Sequence, residues 1–251
     1  MHVLELLISV ISSAKNDTMK AVAKLKRGRE RRRTGQILVE GPNLFRAAVD
    51  AGLLPKIVLA TETDTATAEV TGRLGVPLTL VTESVLASVA DAAHPRSPIA
   101  VFEQPGFGSV PDVNIVVLVD LADPGNAGTI IRSAASFGWA VGVTPHTVDI
   151  WSPKSLRSGA GAHFSLPIVV IDDVETTFSG LRHTVVAAVV HGGEAKVSND
   201  GPFALLVGSE AHGLSHEQVA AADVALTIPM AGGFESLNAA VAASIAMFTL
   251  S

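Results

Sequence analysis

Between Ile115 and Asp120 the chain reads IVVLVD, five apolar residues in a row before an acid. A strand with one wet face alternates apolar and polar residues, so a run that is apolar on both sides needs cover on both faces. That requirement points to a mainly parallel sheet with helices above and below it. Ala140–Val143, Val185–Val190, Phe203–Val207 and Val224–Ile228 repeat the pattern, with helix-like stretches between them. Strands alternating with helices read as βαβ units, here a five- or six-stranded sheet. A final Ala-, Val- and Ile-rich helix is expected from about Ser236 to Ser251.

Upstream, a second and smaller α/β unit is expected. Its strands are Gln36–Val39, Ile57–Ala60, Val76–Val81 and Ile99–Phe102, alternating with helices over Asn43–Ala51, 61–73 and Glu83–Ala90. Residues 104–112, with two prolines and two glycines, read as a linker. The expected domains are therefore 1–103 and 113–251.

Charge separates the two ends. The whole chain carries −6, but residues 1–33 hold nine Lys/Arg against three acids, a net of +6. The remainder holds nine against twenty-one, a net of −12. One helix from Ser12 or Ser13 through about Arg33 is expected to carry KLKRGRERRR, with Lys26, Arg27, Arg31, Arg32 and Arg33 facing a phosphate backbone.

Several classes of chemistry fall away. The chain has no cysteine, which removes disulfides, thiolate metal sites and a cysteine nucleophile. Tyrosine is absent and aromatics make up 4%, so stacking platforms for bases are not in view. No metal is expected, because the histidines show no ligand spacing. No run of about 18 apolar residues suggests a membrane span. The opening MHVLELLISVISS lacks a basic start, so no signal peptide is expected and a cytoplasmic location is. No Walker motif, no G-x-S-x-G and no strand-linked G-x-G-x-x-G is present.

Three short stretches remain, each after an expected strand. NAGTIIR, after Asp123-Pro124-Gly125, places Asn126 and Arg132 on one helix, which we expect to bring them to roughly overlapping faces. LVGSEAHGL runs from Leu206 through Gly208 and Glu210 to Gly213. IPMAGGFESLN brings a strand end into Gly232-Gly233 and then Ser236-Leu237-Asn238 at a helix start. There Ser236 is the expected N-cap and Asn238 lies in the first turn. A backbone-lined pocket beside polar side chains is the expectation, with an ordinary capped strand–loop–helix joint as the bland alternative.

Together the three stretches resemble the motifs of the SpoU-type (TrmH-like) RNA ribose 2′-O-methyltransferases of the SPOUT superfamily. The likeness extends to SPKSLRSGAGAHFSLPIV, with Gly159 where the family usually has serine, and to the N-terminal run through Glu40-Gly41, which resembles a ribosomal-protein-like RNA-binding domain. The resemblance implies a C-terminal SPOUT domain with a deep trefoil knot, a homodimer, and S-adenosylmethionine as cofactor. It implies catalytic-site roles for Asn126, Arg132, Glu210, Ser236 and Asn238. It implies cofactor contacts from Val189, Leu206, Val207, Gly208, Ile228, Met230, Ser236 and Leu237. Arg132, Lys154 and Arg157 are expected to meet RNA phosphate. The implied reaction is methylation of a ribose 2′-hydroxyl in structured RNA, 23S-type ribosomal RNA ahead of transfer RNA. A base-nitrogen RNA methyltransferase, or a non-catalytic RNA-binding or ribosome-assembly protein on the same fold, are the alternatives.

Overall fold

In the computed structural model, residues 10–231 and 236–251 are described. They divide into two compact units, 10–104 with 151–153, and 105–150 with 154–231 and 236–251. None of the described helices is long and apolar enough to cross a membrane.

The first unit holds a four-stranded sheet of β1 (Gln36–Glu40), β2 (Ile57–Ala60), β3 (Leu78–Leu80) and β4 (Ile99–Glu103), in the order β1-β4-β2-β3. β4 runs antiparallel to both neighbours, and β3 parallel to β2. The basic segment forms two helices, not the one expected: α1 (Asp17–Lys24) and α2 (Gly28–Thr34). Asn16 caps α1 by accepting the Thr18 N–H at 2.8 Å. Met19, Val22 and Leu25, three apart, pin one face of this segment into a core with Leu38, Leu59, Val85 and Ile99. The Arg31 guanidinium then closes the break, donating Nη1 to the carbonyls of Leu25 (2.7 Å) and Lys26 (2.9 Å).

Three further helices, α3 (Pro42–Asp50), α4 (Thr65–Leu74) and α5 (Glu83–Val89), complete this unit. Glu40 is buried at the end of β1, and its carboxylate accepts the N–H groups of Asp91 and Ala92 at 2.6 and 3.1 Å. The Glu40-Gly41 pair is thus explained within the fold, as an anchor for the chain leaving α5. In His94–Pro98, the Ser97 hydroxyl donates to Asp64, the N-cap of α4, while Arg96 is exposed.

The second unit is a six-stranded sheet, parallel throughout. Its strands are β5 (Ile115–Leu118), β6 (Ala140–Val143), β7 (Ile168–Val170), β8 (Thr184–Ala188), β9 (Phe203–Val207) and β10 (Val224–Leu226). The order is β10-β8-β9-β5-β6-β7. β5 is fully buried along its length, as its unbroken apolar run requires. The helices are α6 (Pro124–Phe137), α7 (Pro153–Gly159), α8 (Val174–Phe178), α9 (His216–Ala220) and α10 (Ala239–Leu250). α6 begins at Pro124 under an Asp123 cap, so Pro124, Gly125 and Asn126 form the helix's first turn. α10 packs along α6, joined by a 2.7 Å bond between the hydroxyls of Ser133 and Ser244.

Gly159 has a local cause. A Cβ built there would lie 2.3 Å from the ring of His163, which is buried. The imidazole fills the space a serine side chain would need.

Candidate active site

A cleft of about 390 Å³ opens beside the C-terminal ends of β8, β9 and β10, walled on one side by α10. That volume suits a small organic ligand. Val189, Val207, Gly208, Ile228, Met230, Ser236 and Leu237 all line it. Strands β8 and β10 stop at Ala188 and Leu226, so Val189 and Ile228 lie just past the sheet, where a ligand can meet backbone. Leu206, expected in this set, does not line the cleft. It is fully buried in β9 and packs with Ile115, Val117 and Ala204, because side chains alternate along a strand and its turn faces the core.

The sequence reading missed the other wall. Ala239, Ala242, Ala243 and Ala246 line the cleft from α10. Their signal was present as small residues at helical spacing in AAVAASIA. Ser209 and Gly213 also line it. Gly208 is required by close approach, since a Cβ there would sit 2.2 Å from the backbone of Gly213.

The polar residues meet at the cleft mouth. Asn238 is the N-cap of α10, in place of Ser236: its Oδ1 accepts the N–H groups of Ala240 (2.9 Å) and Val241 (3.3 Å). That bond turns the Asn238 amide outward, and Nδ2 donates to Asn126 Oδ1 at 3.0 Å. Asn126 in turn donates Nδ2 to Glu210 at 2.8 Å. The polarity of both amides is fixed, because each oxygen already accepts and only nitrogen is left to donate. The Glu210 carboxylate also accepts the N–H groups of Ala122 (3.2 Å) and Asp123 (3.3 Å). Burial alone would raise its pKa. The bond from Asn126 and those from backbone N–H groups outweigh it and hold the carboxyl below its usual range. Ser236 lies exposed at the cleft wall, and Gly232 and Gly233 lie outside the described residues.

Arg132 stands apart from this chain of bonds. Six residues along a helix is about 120° of rotation and about 9 Å of rise from Asn126, so the two do not share a face, contrary to the overlapping faces expected from the sequence. Arg132 is exposed and does not line the cleft. Among the described residues its guanidinium has no hydrogen-bond or ion-pair partner. Lys154 pairs with Asp123 at 2.7 Å, and Arg157 is half-buried on α7.

The basic segment is also sorted by the fold. Arg31 is 3% exposed and tied to backbone carbonyls, so its guanidinium is engaged within the fold and not turned to solvent. Lys26 donates to the carbonyls of Ser88 and Ala90 at the end of α5. Arg33 pairs with Glu30 on the surface. Arg27 and Arg32 are exposed.

Residues 114–248 match the model of the SpoU rRNA Methylase family, and residues 16–100 that of the MRM3-like substrate binding domain. The 23S rRNA (guanosine(2553)-2′-O)-methyltransferase RlmP of Bacillus subtilis is 30% identical, over 96% of this chain and 98% of that one. An AdoMet-bound rRNA methyltransferase from Sinorhizobium meliloti superposes with a TM-score of 0.86 at 27% identity, covering 96% of each chain. The SpoU methyltransferase AviRb from Streptomyces viridochromogenes, in complex with AdoMet, gives 0.80 at 28% identity, over 93% of this chain and 96% of that one. With three motif segments from distant parts of the sequence meeting at one cleft, and a family match across more than half its length, the chain belongs to the SpoU rRNA methylase family.

Proposed function

We propose that this protein methylates a ribose 2′-hydroxyl in ribosomal RNA, using S-adenosylmethionine. The observation that carries the reading is the Glu210–Asn126–Asn238 chain of hydrogen bonds at the mouth of the cleft. It joins all three motif segments beside a pocket with apolar walls and an open glycine backbone. Those residues fit an adenosyl group against Val189, Val207, Ile228 and Leu237, and a polar tail toward Ser209, Ser236 and Asn238. S-adenosylmethionine, when bound, supplies a methyl group carried on a sulfonium.

The residues of the chain do the rest. Asn126 and Asn238 hold the N-terminal ends of α6 and α10 together and orient the ribose. Arg132, permanently charged and unpartnered among the described residues, holds the adjoining phosphate and stabilises negative charge on the hydroxyl oxygen. It cannot take the hydroxyl proton, for the same reason. Glu210 is a poor acceptor, with oxygens engaged by three donors and a depressed pKa. The proton therefore leaves to water or to an RNA phosphate.

The domain reading is part of the proposal: 1–103 binds RNA through its exposed Arg27 and Arg32, 104–112 links, and 113–251 carries the reaction. So are the trefoil knot that the resemblance implies, and a homodimer. Val241, Ile245 and Phe248 make an exposed apolar stripe along α10, and Phe137 of α6 lies 6.1 Å from the Phe248 ring. A second copy covering that stripe would remove apolar surface that water otherwise meets.

The test is transfer from methyl-labelled S-adenosylmethionine to unmodified ribosomal RNA and to transfer RNA, offered separately, with products digested to nucleosides. A 2′-O-methylnucleoside from ribosomal RNA is expected. A base-methylated product, or cofactor binding absent altogether, would overturn the reading.

A further inference from the structure

We infer that Lys154 is a positioning residue for the reaction, acting through Asp123, and not a ligand for RNA phosphate. The inference rests on the functional reading of the cleft given above. Lys154 Nζ meets Asp123 Oδ2 at 2.7 Å. The other oxygen of the same carboxylate accepts the Asn126 N–H at 2.9 Å and caps α6. The Asp123 N–H points to Glu210, the carboxylate that also takes the Asn126 side chain. One ammonium on α7 thus fixes the carboxylate from which the first turn of α6 hangs, and with it the direction of Asn126.

Two observations favour this role over phosphate binding. Asp123 and Glu210 both accept from the same short stretch of backbone, so two negative groups crowd the start of α6. A cation there offsets their repulsion, whereas an RNA phosphate would add to it. The space is also shaped for the pair. A Cβ at Gly125 would fall 2.7 Å from Asp123 Oδ1 and 3.5 Å from Lys154 Cε. The Lys154 ammonium, with the Asn126 N–H second, holds the Asp123 carboxyl below its usual range. The pair is about half exposed, so its effect is expected on geometry more than on stability.

The test compares full-length wild type with Lys154→Met, Lys154→Arg, Asp123→Asn and the Lys154→Met/Asp123→Asn double variant on ribosomal RNA. Lys154→Met is expected to lower kcat about tenfold, through misplacement of Asn126, with KM for RNA and its salt dependence unchanged. Lys154→Arg should restore most of the rate. The double variant should lose little more than either single one, because both break the same link. The inference is overturned if Lys154→Met keeps the wild-type kcat. It is equally overturned if that variant raises KM and flattens the salt slope as a lost phosphate contact would, or if the two losses multiply. Should Lys154→Met not fold, Lys154→Arg and Asp123→Asn decide alone. Recovery of rate in the first beside a kcat-only loss in the second supports the link, and any other pairing overturns it. Absence of transfer by the wild type would instead sink the functional reading.

Discussion

The basic segment 15–33 and helix α6 make opposite use of arginine. The first is crowded with cations, yet Arg31 is buried against carbonyls, Lys26 closes the end of α5 and Arg33 is paired with Glu30. The second carries one arginine among small and apolar residues, and that one is exposed and, among the described residues, unpartnered. Density of charge in a sequence measures how many cations a segment has. It does not measure how many are free to meet a ligand. An exposed cation without a partner among the described residues is the more informative of the two.

The sharpest way to break this contrast is Arg132→Ala. It should lower kcat by about 10²–10³-fold, the range for removing one preorganised group that stabilises developing charge, with cofactor binding intact by calorimetry. Activity within a few-fold of wild type would place Arg132 outside the reaction.

Next comes Arg31→Met, which should unfold the first unit more readily, by about 2–3 kcal/mol in denaturant, because one buried and one part-buried carbonyl lose a charged donor. A variant of wild-type stability with weakened RNA binding would return Arg31 to the RNA face.

The same distinction extends to a buried basic group of the second unit. Burial lowers the pKa of His163 to about 4, so the neutral ring belongs to the folded state. An unfolded histidine binds a proton near pH 6.5, and the folded one only near 4. Stability from the neutral ring is therefore complete above about pH 6.5 and declines as pH falls from there toward 4, by up to about 3 kcal/mol. Unfolding free energies between pH 7 and 4 would show this slope, and His163→Phe should flatten it.

The smallest effect is expected at Arg32, exposed on α2. Arg32→Ala should weaken RNA binding a few-fold and reduce the slope of log affinity against log salt by about 0.7–0.9, one phosphate contact. An unchanged slope would remove this face from the RNA-binding surface.

The features legible in the sequence were those set by short-range pattern. IVVLVD gave a buried parallel strand, and the three motif stretches were found on the loops and helix starts where the cleft forms. Misreadings came where a distant residue decides. Ser236 and Asn238 are comparable N-caps by propensity, and the structure selects Asn238, whose amide also bonds Asn126, 112 residues away. The break between α1 and α2 depends on a guanidinium folding back over two carbonyls. Leu206 lies within the strand and not past its end, and its side chain is buried in the sheet core. Its register follows from pairing with β5 and β8. Gly159 departs from the family's usual serine, and the reason is a histidine four positions on.

The Asn238–Asn126–Glu210 link also has a consequence in time. Its members stand 84 and 112 positions apart along the chain, and the last to be made is Asn238. A polypeptide leaves the ribosome N-terminus first. The basic segment is therefore outside and able to fold while the residue that closes the site has yet to be translated. On the proposed function, RNA binding by that segment would be available to a nascent chain before its site could close.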